Sequence, residues 1–90
     1  MIKIECRIDE YKTKRCWYIE GTDILHREDG PATELSDGKK WWYQHGKFHR
    51  LDGPAREWGN GQQAWYYQGK EIPVDNQQDF ERYIKLMAFE

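Results

Sequence analysis

The chain has no apolar run near the roughly 20 residues that a membrane-spanning helix needs, so functions that depend on such a helix are set aside. It has only two cysteines, Cys6 and Cys16, ten positions apart, with no Cys-x-x-Cys and no matching histidine pair. That pattern argues against zinc, and two reduced strand thiols are expected ahead of a disulfide. No charge dominates. Fourteen basic residues against sixteen acidic leave a net −2, which speaks against general nucleic-acid binding through many phosphate contacts. The small imbalance sits at the end, where residues 71–90 hold two basic and five acidic side chains. No secretory leader shows in Met1-Ile2-Lys3-Ile4-Glu5, which is charged and alternating, so a cytoplasmic location is expected.

Aliphatic volume is scarce, and aromatic rings replace it: five Trp, six Tyr and three Phe in 90 residues. This length makes one domain, near the size at which a core becomes hard to build. Rings bury roughly 150–250 Å² each, so a few can stabilise a thin sheet.

The chain also repeats itself. His26-Arg27-Glu28-Asp29-Gly30-Pro31-Ala32 returns as His49-Arg50-Leu51-Asp52-Gly53-Pro54-Ala55, an offset of 23 that also maps Gly38 on Gly61 and Trp42-Tyr43 on Trp65-Tyr66. A fixed period of this kind marks units that bury their apolar faces by stacking on one another. The single domain, 1–90, divides into N-terminal strands with a degenerate unit (1–18), a first repeat (17–40), a second (41–63), a partial third (64–74) and a C-terminal helix (75–90). Thr22-Asp23 is a two-residue insertion that predicts a longer loop.

Alternation of Ile2, Ile4, Cys6 and Ile8 with charged residues predicts a half-buried first strand. Asp37-Gly38 and Asn60-Gly61 predict two-residue type I′ hairpins, with His45-Gly46 and Gln68-Gly69 as weaker forms of the signal. The Asp-Gly-Pro runs predict corners, with Gly53 at positive φ. The fold expected is mainly β, a twisted single-layer antiparallel meander of hairpin repeats. One amphipathic helix closes it over about residues 76–88, with Asp75 as cap, Gln78 as its capping-box partner, and Phe80, Tyr83, Ile84 and Met87 facing the sheet.

Two-residue turns would set Thr33 opposite Trp42, Arg56 opposite Trp65 and Tyr43 opposite Phe48, and register assigns faces. One face then gathers Trp17, Leu35, Trp42, Trp58, Trp65, Tyr67 and Ile72, expected beneath the helix. The other gathers Tyr18, Ala32, Trp41, Tyr43, Phe48, Ala55 and Tyr66, expected to stay open.

The spacing Tyr43-x-x-Gly46-x-x-His49 resembles the MORN repeat, whose units read aromatic-x-x-Gly-x-x-His-Gly. The fuller unit ending in His-Arg-x-Asp-Gly-Pro-Ala resembles a MORN-variant repeat of short bacteriophage proteins and antitoxin-like bacterial proteins, over about residues 11–72. The resemblance implies a single-layer sheet of MORN-like hairpins used for recognition, with no enzymatic activity and no cofactor. It also implies a phage-encoded chain at work in the host cytoplasm. The His-Arg-x-Asp-Gly-Pro-Ala unit stands where the standard repeat has His-Gly-x-Gly, so lipid or membrane association is not carried over.

His26 with Asp29 and His49 with Asp52 could be read as catalytic dyads. No nucleophile recurs beside them, and their presence in both units points to corner-building. No third His or Cys repeats with His26 and His49 to complete a zinc site. What the units do not share is more informative: Trp41 maps on Ala64, Phe48 on Glu71 and Trp58 on Leu35. Trp41, Tyr43, Phe48, Arg50 and Tyr66 are the expected partner-binding patch, since aromatics and Arg dominate binding hot spots. The leading expectation is a non-enzymatic module that binds, and by binding inhibits, a host defence or metabolic protein. One alternative is a nucleotide or other small ligand held by Arg27, Arg50, Tyr18 and Tyr43. Another is a structural homodimer joined through the aromatic face.

Overall fold

A computed structural model of the chain describes residues 2–87. Nine short strands precede one helix: β1 (Ile4–Ile8), β2 (Lys14–Ile19), β3 (Thr33–Leu35), β4 (Lys40–Trp41), β5 (Tyr43–Gln44), β6 (Lys47–Phe48), β7 (Arg56–Glu57), β8 (Gln63–Tyr67), β9 (Lys70–Ile72) and α1 (Gln77–Met87). Seven of them form one sheet in the order β1-β2-β3-β4-β7-β8-β9, while β5 and β6 pair as a separate hairpin. Every pairing is antiparallel. The molecule is a slab of 43 × 34 × 17 Å. Backbone bonds from Arg27 N–H to Tyr43 O (3.1 Å), Gly46 N–H to Leu25 O (2.8 Å) and Gly69 N–H to Phe48 O (2.8 Å) stitch the separate hairpin to its neighbours.

The turns differ from the sequence expectation in an instructive way. His45 and Gly46 have φ of 51° and 79°, and Gln68 and Gly69 have 49° and 89°, so the weaker signals make the two-residue turns with both φ positive. At Asp37-Gly38 and Asn60-Gly61 only the glycine has positive φ. There the loop has three residues, closed by Leu35 N–H to Lys39 O (2.9 Å) and Trp58 N–H to Gln62 O (2.9 Å). Asp37 Oδ1 accepts the Lys39 amide (3.2 Å) and Asn60 Oδ1 that of Gln62 (3.0 Å), an Asx turn at each loop. The extra loop residue slips the register by one. Thr33 therefore opposes Trp41 and Arg56 opposes Ala64. The insertion at Thr22-Asp23 does lengthen its loop, which Ile19 N–H closes on Ile24 O (2.9 Å).

A one-residue slip moves side chains across the sheet. Leu35 and Trp58 belong with Trp41 and Tyr66, and Ala32 and Ala55 belong with the other tryptophans, four corrections to the expected faces. Cys6 opposes Trp17, and Trp65 opposes Ile72; between them the backbone pairs Trp17 with Ala32 and Trp42 with Ala55 (2.8 and 2.7 Å). Large rings thus alternate with fully buried alanines, which explains the Ala that ends each His-Arg-x-Asp-Gly-Pro-Ala motif. We call this side the Trp face and the opposite side the Tyr face. Cys6 and Cys16 point to opposite faces of adjacent strands, so they do not bridge.

Each tryptophan of the row has its own lid. The Arg27 guanidinium stacks 3.9 Å over Trp17 and that of Arg50 stacks 3.9 Å over Trp42. Nε of each donates to the aspartate two positions on, at 3.0 Å for Asp29 and 2.9 Å for Asp52. Nη1 donates to Pro31 O (3.1 Å) and Pro54 O (3.2 Å). The corner glycines do not have positive φ, contrary to expectation. They are glycine because a Cβ on Gly53 would lie 2.6 Å from the Arg50 guanidinium carbon, and one on Gly30 2.9 Å from that of Arg27. Gly53→Ala should therefore push Arg50 off Trp42 and destabilise by about 1–3 kcal/mol, the usual cost of overpacking, which a denaturant melt measures.

Trp65 has no arginine above it. Ile72 occupies the position of the corner histidine, and α1 supplies the lid, with Phe80 packed on Trp65 and Ile72 and with Tyr67, Val74, Tyr83 and Ile84 around them. Gln77 accepts the Trp65 indole N–H (2.8 Å) and donates to Leu51 O (3.0 Å). The helix cap is Asn76 rather than Asp75. Its Oδ1 accepts the Asp79 amide (2.9 Å), and its amide nitrogen donates to the Asp79 carboxylate (3.0 Å), while Asp79 places negative charge at the helix N-terminus. The expected helix end at residue 88, and the 88–90 part of segment 75–90, lie outside the described residues. At the other end the expected half-buried first strand is not found: Ile2, Ile4, Cys6 and Ile8 are exposed, because the helix covers only the Trp65 end of their face.

Candidate functional site

Four of the five expected patch residues come together on the Tyr face. Trp41 pairs with Arg56 across β4 and β7, and Tyr43 with Phe48 across the two-residue turn. The Phe48 ring stacks on Tyr43 at 4.4 Å between centroids, tilts against Tyr66 at 4.9 Å, and meets Trp41 edge-on at 6.2 Å. All four are half-buried. Burial raises the Tyr43 phenol above its ordinary range, with the Arg56 charge working against that shift.

Arg50, the fifth, stands on the opposite face, where Trp42, Asp52, Pro54 O and Glu57 (3.2 Å) occupy it. Its place among the rings is taken by Arg56, which the sequence reading did not select. The Arg56 guanidinium lies 4.6 Å from the Trp58 centroid and 4.8 Å from those of Trp41 and Phe48. Among the described residues its one hydrogen-bond contact is Nη1 to Tyr66 Oη at 3.5 Å, and its Nε and the Trp41 indole N–H have no partner there. A signal for it did exist: Arg56 maps on Thr33 at the 23-residue offset, as unshared a position as Trp41, Phe48 and Trp58. All of the cluster but Tyr66 lies in the second unit.

The alternative ligand set is not assembled. Arg27 and Arg50 lie over Trp17 and Trp42 on the Trp face, and Tyr18 and Tyr43, each one residue after those tryptophans, point to the other side. Arg7 stacks on Tyr18 at 4.1 Å. A concavity of about 470 Å³ does open beside Trp42 and Arg50, but Glu28, Asp29 and Asp52 line it, a charge pattern that repels phosphate.

The histidines serve the turns of the next unit. Nδ1 of buried His26 accepts the His45 amide (2.8 Å), and Nδ1 of His49 accepts the Gln68 amide (2.9 Å), again one period apart. Asp29 and Asp52 bond to arginine instead. Among the described residues no group of three or more His, Cys, Asp or Glu is placed to hold a metal ion. Burial holds both imidazoles below the usual histidine range; at His26 the nearby His45 adds to the effect and Glu28 opposes it. Lowered folded pKa values leave stability intact above the unfolded value of about 6.5. Below it the unfolded chain takes up protons that the folded chain refuses, so stability falls down to the folded pKa. The melting temperature should drop as the pH falls below about 7, and His26→Gln/His49→Gln should melt lower at pH 7 but with a shallower drop.

No family model, curated protein or solved structure matches the chain. No helix among the described residues is long and apolar enough to cross a membrane.

Proposed function

We propose that the chain is a non-enzymatic recognition module that binds a protein partner through its Tyr face. The observation that carries this reading is the cluster of Trp41, Tyr43, Phe48, Trp58 and Tyr66 around Arg56, with α1 lying on the other side. Two of its rings, Trp41 and Phe48, have no aromatic counterpart in the next unit, so stacking of repeats does not require them. Apolar surface of that kind on a small domain marks an interaction site, and Trp, Tyr and Arg are the residues that dominate such sites. A sheet face of packed rings suits a protein surface better than a small molecule, which needs a concave site.

The likeness of the His-Arg-x-Asp-Gly-Pro-Ala unit to a MORN variant of phage proteins adds the finer reading. The partner is then a host protein in the host cytoplasm, and binding blocks it. The test is capture from bacterial lysate with wild type and with Trp41→Ala/Phe48→Ala, beside sedimentation of the chain alone. A monomer whose capture is lost in the variant supports the reading. A dimer that the same variant dissociates replaces the host partner with a second copy of the chain.

A further inference from the structure

Building on that reading of the Tyr face, we propose that Arg56 is the point where the face receives a carboxylate, so that the partner presents an Asp or Glu flanked by apolar residues. Every other arginine among the described residues has a carboxylate in reach. Arg7 has Glu5 (3.0 Å) and Asp23 (2.9 Å), Arg15 has Glu34 (3.9 Å), Arg27 has Asp29 (3.0 Å), Arg50 has Asp52 (2.9 Å) and Arg82 has Asp79 (3.7 Å). Among the described residues Arg56 has none within 4.0 Å, although it is half-buried in the middle of the rings.

The arrangement suits an acceptor arriving from outside. Rings lie on the guanidinium at 4.6–4.8 Å, so its charge is held by π-faces, which use none of its N–H donors. Among the described residues the donor edge is left with only the 3.5 Å contact to Tyr66 Oη, and Nε is shut off from water without a partner. The Trp41 indole N–H, on the residue directly opposite in the ladder, is likewise without an acceptor among the described residues. Two unsatisfied donors on paired residues cost stability in the free protein. A planar fork meets a carboxylate through two parallel bonds, and little must be broken for Arg56 to turn toward one. One guanidinium ringed by aromatics, in a chain of net −2, favours one carboxylate in an apolar setting over a phosphate polyanion, which repels acidic proteins.

The site can be probed without knowing the partner. In the ¹⁵N-labelled full chain, the Arg56 Nε–H and Trp41 Nε1–H signals are followed during titration with 3-phenylpropionate, with 3-phenylpropan-1-ol and with inorganic phosphate. The carboxylate should shift both signals saturably. The alcohol, which has the same ring, should bind at least about fivefold more weakly, because charge-assisted bonds are about twice as strong as neutral ones. Arg56→Gln should keep the melting curve and erase that difference. Equal binding of acid and alcohol, or no saturable shift, overturns the proposal, and tighter binding of phosphate replaces carboxylate with phosphate as the ligand group. Lysate capture separates this failure from that of the face: loss with Trp41→Ala/Phe48→Ala but not with Arg56→Gln retires the carboxylate site alone, while loss with neither retires the face.

Discussion

Phe80→Ala should remove about 3–5 kcal/mol of folding stability, the range for truncating a buried aromatic ring. Phe80 is 1% exposed and closes the cluster in which α1 meets the sheet, on Trp65 and Ile72. Domains of this size have about 0.05–0.15 kcal/mol of stability per residue, so one ring carries a large share of the total. The melting temperature should fall by at least about 12 °C, at about 4–8 °C per kcal/mol. Trp65 would lose its lid, and a red shift in tryptophan emission should accompany the loss. An unchanged melt would mean that α1 is not docked.

The second large effect is expected at Trp42. Its indole lies between Ala32 and Ala55 in the row of the Trp face, beneath the Arg50 guanidinium at 3.9 Å. Trp42→Ala should cost about 2–4 kcal/mol, somewhat below the range for a fully buried ring, with the lost cation–π contact included. Arg50 would keep Asp52 and Glu57 but lose the surface that orients it. Chemical denaturation measures this cost, and a change under about 1 kcal/mol would show that the stacked arginine does not hold the unit together.

Much of this architecture is legible in the residues because the repeat is internal. The 23-residue offset alone identifies the corner and the mainly β hairpin units, and the spacing Phe80, Tyr83, Ile84 identifies the face of the helix. Turn lengths were harder. Asp-Gly and Asn-Gly read as two-residue hairpins, yet in the fold Asp37 and Asn60 each bond the amide two residues on and add a third loop residue. That single residue is why Leu35, Trp58, Ala32 and Ala55 changed sides. Gly59 adds a reason invisible to local pattern, since it packs against the backbone of Asp37 and Gly38 in the neighbouring turn.

At the site, periodicity separated Trp41 and Phe48 from the repeat-building rings, and four expected residues do converge. Extending the His45-Gly46 register past Phe48 sets Arg50 opposite Trp41, but β6 ends at Phe48 and Arg50 lies in the corner beyond it, stacked on Trp42. Arg56 was overlooked because a wrong register put it opposite Trp65 instead of beside Trp41. The exposure of β1 could not be read at all, since alternation shows that a strand has an apolar side without showing whether anything covers it.

Trp41 and Trp42 are consecutive residues on opposite faces, and a parallel thermal melt of the two alanine variants tests the division of labour between those faces most directly. Trp41 is half-buried among Phe48 and Arg56, and its indole N–H is unsatisfied. Truncating it loses packing but also removes an orphan donor that costs about 1–3 kcal/mol, so the net change should be small. Trp41→Ala is predicted to melt within about 5 °C of wild type and Trp42→Ala at least about 8 °C below it. If Trp41→Ala falls as far as Trp42→Ala, the Tyr face is part of the structural core and not a surface kept for a partner.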